Sequence, residues 1–298
     1  MKWISSIYTE HSMLATLTQL DTNHYPNSLQ EIPQPPERLW MRGSWAPEGT
    51  KYLAVVGSRA LTRYGKEACD TLISGLAGYP ISIVSGLALG ADAAAHRAAL
   101  KAGLHTLAIP GSGLNDEVIS PRSNADLARD ILEAGGMLLS EQNPDEPSRP
   151  QYFPSRNRIM VGIADAVLVI EAGDKSGTLI TARLASEYNR DLLCVPHRIG
   201  DPHGFGSHLF IRLGAALVTE PLHILEALHI PPRVGTDLAL ARKLEGAEKS
   251  MYAALVDPLP RDEAVRATGL PVGEALTALV ALELKGLIRE EFGAWRRV

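Results

Sequence analysis

Residues 153–185 read FPSRNRIMVGIADAVLVIEAGDKSGTLITARLA. Within them, Ala166 to Ile170 is an unbroken apolar run with a Val/Ile bias. A run that short and that rich in β-branched residues reads as a strand buried on both faces, and such strands belong to parallel sheets covered by helices. A polar cluster, Ser155-Arg156-Asn157-Arg158, opens a helical pattern before the strand, with Ile159, Ile163 and Met160 facing inward. After the strand, Gly173 to Thr178 turns into a second helical pattern, with Ser176 as its N-cap. A helix start leaves backbone N–H groups unpaired and carries partial positive charge. Gly177 gives close access to that backbone, Thr178 adds a hydroxyl and Lys175 a full charge, a combination suited to phosphate. The same turn also fits an ordinary strand-to-helix connection with a solvated lysine, since every α/β protein has several.

The strand-then-helix rhythm recurs. Strands are expected at Tyr52–Val56, Ile81–Val84, His105–Ile109, Met137–Leu139, Ala166–Ile170, Leu192–Val195 and Ala216–Val218, with helical patterns between them. This predicts an α/β fold with a mostly parallel sheet and helices on both faces, its crossovers right-handed. Residues 51–230 form this domain. Residues 1–50 are an N-terminal extension, helical at best over the first 20. Pro26, Pro33, Pro35, Pro36 and Pro47 make the stretch before Lys51 an extended lead-in that packs through Trp40 and Trp45.

In open α/β sheets, ligands bind outside the strand C-terminal ends. Those ends carry Gly57-Ser58-Arg59, Ser85-Gly86, Pro110 to Gly113, and the 171–178 turn. The glycines are in part simple tight turns. Arg59, Lys175 and one of Arg156/Arg158 would converge on one rim of a chain whose net charge is −5. A local cationic rim with backbone N–H groups suits more than one phosphate. No cofactor is expected: there is neither a G-x-G-x-x-G after the first strand nor a Walker A loop, and Ser85-Gly86 is not a nucleophile elbow. Asp92 and His96, four apart on one helix face, read as a cap and a helix hydrogen bond ahead of an acid/base or metal pair. His197, His203 and His208 crowd one loop without carboxylate or cysteine at ligand spacing, so no metal is expected. Cys69 and Cys194 read as buried free thiols in a reducing compartment.

With 298 residues and 45% hydrophobic content the chain is globular and large enough for two domains. No apolar run approaches the ~20 residues of a membrane span, and no secretory signal opens the chain, so a cytoplasmic location without membrane contact is expected.

Gly57-Ser58-Arg59, SGLALGADAAAH (85–96), PGSGLN (110–115), SRNRIMVGIADAVLVIEA (155–172), KSGTLITARLA (175–185) and VPHRIGDPHGFGSHLFIRLGA (195–215) occur in that order. In this the chain resembles the DNA-processing protein A (DprA/Smf) family, over about residues 50–220 and again in the tail. The resemblance implies an extended Rossmann-like domain that binds single-stranded DNA, forms a homodimer and loads a RecA-type recombinase during natural transformation, with no enzymatic activity and no catalytic residues. It implies a DNA pocket at Gly57, Ser58, Arg59, Phe153, Arg156, Asn157, Arg158, Lys175, Ser176, Gly177 and Thr178. Phe153 would be the platform on which a base stacks. The chain departs from the family pattern at Leu89, where lysine is usual, at Ser120-Pro121, where Tyr-Pro is usual, at His197 for glycine and at His208 for asparagine.

The tail, residues 238–298, shows three helical patterns (Leu244–Leu255, Pro260–Thr268, Leu270–Lys285) and a hairpin turning at Phe292 to Ala294. This is the signature of a winged helix, and it resembles the family's C-terminal domain. Its third helix has no arginine and a lysine only at its far end, so a protein-contact or regulatory role is favoured over duplex reading.

A rival function comes from the phosphoribohydrolases resembling LOG proteins, which cleave nucleoside monophosphates on a similar fold. Leu179, Ile180 and Thr181 stand where their glutamate would be, which argues against hydrolysis. A small-nucleotide sensor using the same rim is a further alternative.

Overall fold

The computed structural model describes residues 16–174, 176–232, 244–285, 287–291 and 293–297. Lys175, Gly235 and Phe292 lie outside the described residues, as do 1–15 of the N-terminal extension. The chain divides into two compact units, Met1–Ile230 and Pro231–Val298.

In the first unit, β3 (Lys51–Val56), β4 (Ile81–Ser85), β5 (His105–Ala108) and β6 (Met137–Ser140) follow one another across a sheet. β7 (Ala166–Val169) then returns to the other side of β3, and β8 (Asp191–Cys194) and β9 (Ala216–Leu217) continue outward. All these pairings are parallel. β7 is buried at every position, as its apolar run requires. The chain therefore reverses direction between β3 and β7, and the strand ends diverge there into a crevice.

Helices cover both faces. α2 (Arg63–Ser74), α3 (Ala91–Lys101) and α8 (Pro221–Ala227) seal a core containing Leu53, Val55, Ile83, Leu168 and Leu193. α5 (Tyr152–Ile163) and α6 (Thr178–Glu187) seal the opposite core around Val56, Val84, Leu107, Val167 and Val169. α4 (Ala125–Glu133) packs Leu127, Ile131 and Leu132 onto Leu138 of β6, and α7 (Phe205–Arg212) lies between β8 and β9 in sequence.

The segment before Lys51 is more than a lead-in. β2 (Leu39–Gly43) pairs antiparallel with β6, and β1 (Thr18–Leu20) pairs antiparallel with β2, so residues 16–50 are part of the sheet and its edge. The short helix α1 (Asn27–Gln30) buries Leu29, and Leu29 and Ile32 press on Gly162 of α5, where a Cβ would come within 2.8 Å of Leu29. The strand was hidden in the sequence because five prolines surround it and its alternation is weak.

The second unit contains α9 (Gly246–Ala254), α10 (Arg261–Thr268) and α11 (Val272–Leu284), with β10 (Leu259–Pro260), β11 (Ile288–Glu291) and β12 (Ala294–Arg297) in an antiparallel sheet. Met251, Leu255, Leu279, Leu282, Ile288 and Trp295 form its own core. Gly269 closes α10 in the left-handed region at φ +66°, where glycine costs least. This is a winged helix.

Candidate nucleic-acid interface

The crevice between the ends of β3 and β7 is a cavity of about 570 Å³. The turn after β3 supplies Gly57, Ser58 and Arg59. The N-terminal half of α5 supplies Phe153, Arg156 and Asn157. The turn into α6 supplies Ser176, Gly177 and Thr178. Nine of the residues named from the sequence thus meet around one space. Gly57 is required for close packing: a Cβ there would stand 2.7 Å from the Ala91 side chain. Gly177 faces open space, with nothing within 4 Å of a Cβ placed on it, so its backbone is accessible.

At the mouth, the Arg59 guanidinium carbon lies 4.6 Å from the centre of the Phe153 ring, a cation–π contact. Gly111 backs the ring; a Cβ there would be 2.9 Å from its Cδ1 and Cε1. Arg156 is buried beneath. It donates through Nη1 to the Ile109 carbonyl and through Nε to Asn157 Oδ1 at 3.1 Å. Gly86 makes room for it, since a Cβ would overlap the guanidinium. Burial lowers the pKa of Arg156, and the charge of Asp92 opposes that fall.

Asp92 lines the cavity floor, and the sequence reading did not include it in the site. Its Oδ2 accepts from the N–H of Gly86 at 3.1 Å and of Ala88 at 3.3 Å. Burial raises its pKa, and Arg156 followed by these hydrogen bonds pulls it back. Asp92 and His96 do not act as a pair: His96 Nδ1 sits 2.7 Å from Thr106 Oγ1, and burial holds its pKa down at about 3. Met160, Asp174, Ile180 and His203 also line the space and were not singled out from the sequence as pocket residues.

Two expectations require correction. Arg158 does not line the cavity; its Nη2 is bonded to Glu141 Oε1, and its side chain is 15% exposed. Residues two apart on a helix point to different faces, so Arg156 and Arg158 could not both face the cavity. Ser176 is not the N-cap of α6; Gly177 holds that position, and Ser176 Oγ accepts from the Thr178 N–H at 3.2 Å from one residue further out. The position of Lys175 lies outside the described residues.

Glu171, at the end of β7, is fully buried and accepts from the Thr62 N–H at 3.0 Å and from its hydroxyl, closing the 57–62 turn behind the cavity. His197 and His208, the two departures after β8, contact each other. His208 Nε2 lies 3.2 Å from the His197 N–H and 3.0 Å from its carbonyl. Leu89 is exposed and does not line the cavity. Cys69 and Cys194 are buried free thiols, each pushed up to about 12, by burial first. Among the described residues, no three His, Cys, Asp or Glu side chains are grouped to hold a metal, and no single helix is long and apolar enough to cross a membrane.

The family pattern described as DNA recombination-mediator protein A matches residues 16–229, well over half of the chain. The chain belongs to that family. The pattern of the DprA winged helix domain matches residues 239–293, in agreement with the second unit. Protein Smf of Escherichia coli is 38% identical over 298 residues, covering 95% of this chain and 77% of its own. DNA processing protein DprA of Streptococcus pneumoniae is 40% identical, covering 67% of this chain and 70% of its own. Among solved structures, the Streptococcus pneumoniae DprA superposes with a TM-score of 0.66 at 36% identity, covering 74% of this chain and 77% of that one. The Helicobacter pylori DprA, whose structure is described as showing a single-stranded DNA binding mode, gives 0.64 at 28% identity, covering 72% and 96%. The expected extended Rossmann-like, mostly parallel sheet with a C-terminal winged helix is thus the fold of a DprA protein.

Proposed function

We propose that the cavity between β3 and β7 holds single-stranded DNA, and that the protein protects an incoming strand and delivers it to a RecA-type recombinase in the cytoplasm during natural transformation. The observation that carries the reading is the Arg59–Phe153 pair at the mouth of an open crevice. A single strand needs cations for its phosphates and a flat surface for its bases, and this pair offers both. Gly57, Ser58, Asn157, Ser176, Gly177 and Thr178 would contact the backbone, Lys175 joins them by its place in the sequence, and Arg156 supplies charge from the floor. The Helicobacter pylori relative, with its described single-strand binding, supports the assignment.

Binding rather than catalysis fits the carboxylates. Those lining the cavity among the described residues are Asp92 and Asp174, and Asp92 Oδ2 is engaged by two backbone N–H groups. Leu179, Ile180 and Thr181 follow the α6 start where a phosphoribohydrolase needs its acid. A homodimer is part of the proposal. β9 is a two-residue edge strand; its Leu217 is 46% exposed and Leu213 just before it is 70% exposed, an apolar edge suited to a second copy.

The deciding experiment is a titration with single-stranded and duplex DNA at several salt concentrations, run beside nucleoside monophosphates. Preferential single-strand binding is expected, with Arg59→Ala and Lys175→Ala each lowering the log–log salt slope by about 0.7. Equal affinity for mononucleotides and oligonucleotides, or release of free base, would replace this reading with a sensor or a hydrolase.

A further inference from the structure

The loop from β8 to α7 carries an exposed side chain on a fixed mount. Asp201 N–H bonds to the Arg198 carbonyl at 3.1 Å across a tight turn in which Gly200 has φ +82°. Ile199, at the tip, is 101% exposed, and Arg198 beside it is exposed too. The base of the loop is held at several points. The His197 side chain is 1% exposed with Nε2 3.0 Å from the Ile170 carbonyl, and His208 grips the His197 backbone. Tyr64 of α2 donates its hydroxyl to the Pro196 carbonyl at 2.7 Å and stands edge-on to the His197 ring, centroids 5.2 Å apart. Asp201 Oδ1 accepts from the His203 N–H at 2.9 Å. A single exposed apolar residue needs no explanation. Here the apolar tip cannot fold back to cover itself, because the hydrogen bonds below it fix its position.

This surface adjoins the cavity. Ala60 and His203 line the cavity. The loop joins the cavity wall through His203, whose N–H bonds to Asp201, and Tyr64 stands four residues after Ala60 at the start of α2. Tyr64 is itself 47% exposed. Arg63 lies next to it with its side chain 92% exposed, in an exposed pair with Glu67 that is worth little. The acids near this surface include Glu67, Asp201, Glu171, whose charge acts on Tyr64, and Asp174 of the cavity rim. Asp201 is occupied by the His203 N–H and faces His197 Nδ1 at 3.9 Å, and Glu171 is fully buried on Thr62. Exposed apolar and aromatic surface alternating with arginines, continuous with a phosphate-and-base site, is the chemistry of a single-strand track.

We propose that Arg198, Ile199 and Tyr64 form a second subsite, over which a strand seated in the cavity continues, with Ile199 against a base and Arg198 on a phosphate. The inference rests on the single-strand reading of the cavity. The preset loop lowers the ordering cost of each added nucleotide, so the subsite acts on the length dependence of binding. Ile199→Ser and Arg198→Ala change exposed side chains and leave the clamp in place.

The test measures affinity of the full chain for oligothymidylates of about 5 and about 15 nucleotides, within the range of single-strand site sizes. The parent, the Arg198→Ala/Ile199→Ser double variant and Arg59→Ala are compared. The double variant should match the parent on the short oligomer and bind the long one about three- to tenfold more weakly, whereas Arg59→Ala should weaken both. Parental affinity of the double variant for the long oligomer, with Arg59→Ala weakened, overturns the second subsite and leaves the cavity reading standing. A parent that binds neither oligomer overturns the cavity reading itself. Loss of self-association by the double variant in sedimentation, with DNA binding unchanged, assigns the loop to a protein interface and also overturns the proposal.

Discussion

The Arg59 guanidinium lies 4.6 Å from the Phe153 ring centroid, so the aromatic surface that a base would use is already covered by a cation. On the proposed single-strand reading, an arriving base would stack on the guanidinium plane or displace it from the ring. Either way the two side chains act as a unit, and their effects on binding should not add. Phe153→Ala is expected to cost ~1–3 kcal/mol of single-strand affinity. Once Phe153 is absent, Arg59→Ala should cost less than it does alone, by about 0.5–1 kcal/mol for an exposed cation–π pair. Arg59→Lys keeps the charge and loses the stacking plane, so it should retain the salt slope but not the affinity. A double-mutant cycle by fluorescence anisotropy, with a thermal melt of each variant, checks this. Strict additivity would mean that the two side chains contact the strand independently.

Beneath that pair, Arg156 and Asp92 are both buried, and each is the other's chief compensation for lost solvent. Arg156→Met should therefore destabilise the fold by ~3–5 kcal/mol, the range for breaking a buried charge pair. The pH dependence has a definite sign. Burial already raises the Asp92 pKa, and removing Arg156 raises it further. Between its usual value of 3.8 and that raised value, the folded state holds a proton that the unfolded chain has released. Stability then falls as pH rises through that window. The deficit of Arg156→Met relative to the parent should be larger at pH 8 than at pH 5, measured by urea unfolding. A deficit independent of pH would show that lost packing, and not the stranded carboxylate, sets the cost.

His96 contributes with the opposite sign. Burial holds its pKa at about 3 against an ordinary 6.5, so in this interval the unfolded chain binds the extra proton. Its contribution is complete above 6.5 and is lost as pH falls toward 3. From pH 7 to pH 5 the loss amounts to about 2 kcal/mol for a single site with that shift. The stability difference between the parent and His96→Gln isolates it from Asp92. That difference should shift toward the variant by about this amount over those two pH units. No change in the difference would place the neutral imidazole outside the pH response.

The parts of this structure that follow from short-range chemistry were legible in the sequence. The buried β-branched strands and the gathering of 57–59 with 176–178 at strand ends follow from residue type and local order. What was not legible depended on direction or on distant partners. Arg156 and Arg158 look equivalent in SRNR, yet about half a helix turn sends them to opposite sides, one to the cavity floor and the other to Glu141. Asp92 reads as a helix cap, and only the approach of α5 makes it the counter-charge of a buried arginine. β2 carries Trp40 and Arg42 among prolines and becomes a strand because β6 offers an open antiparallel edge. His197 and His208 stand eleven positions apart and are joined only by the return of α7.

The winged helix has its own core and is expected to be dispensable for single-strand binding by the first unit. Met251, Leu279, Leu282 and Trp295 pack among themselves, so removing the unit should not open the main core. Residues 238–298 carry nine Lys/Arg against nine Asp/Glu, which adds little long-range attraction to phosphate. α11, in the position of a recognition helix, carries Glu274 in its first turn and exposes Val272, Val280 and Leu284, where a groove reader would present donors. The arginines of the wing are also partly engaged: Arg297 Nε donates to the Tyr252 carbonyl at 2.8 Å, and Arg296 pairs with Glu291 at 2.8 Å. The measurement is the affinity of a 1–237 fragment for a long oligonucleotide at two salt concentrations, with its folding verified by circular dichroism. Affinity within about threefold of the full chain is expected, whereas a loss of about tenfold or more, roughly 1.4 kcal/mol, from a folded fragment would make the winged helix a DNA-binding arm.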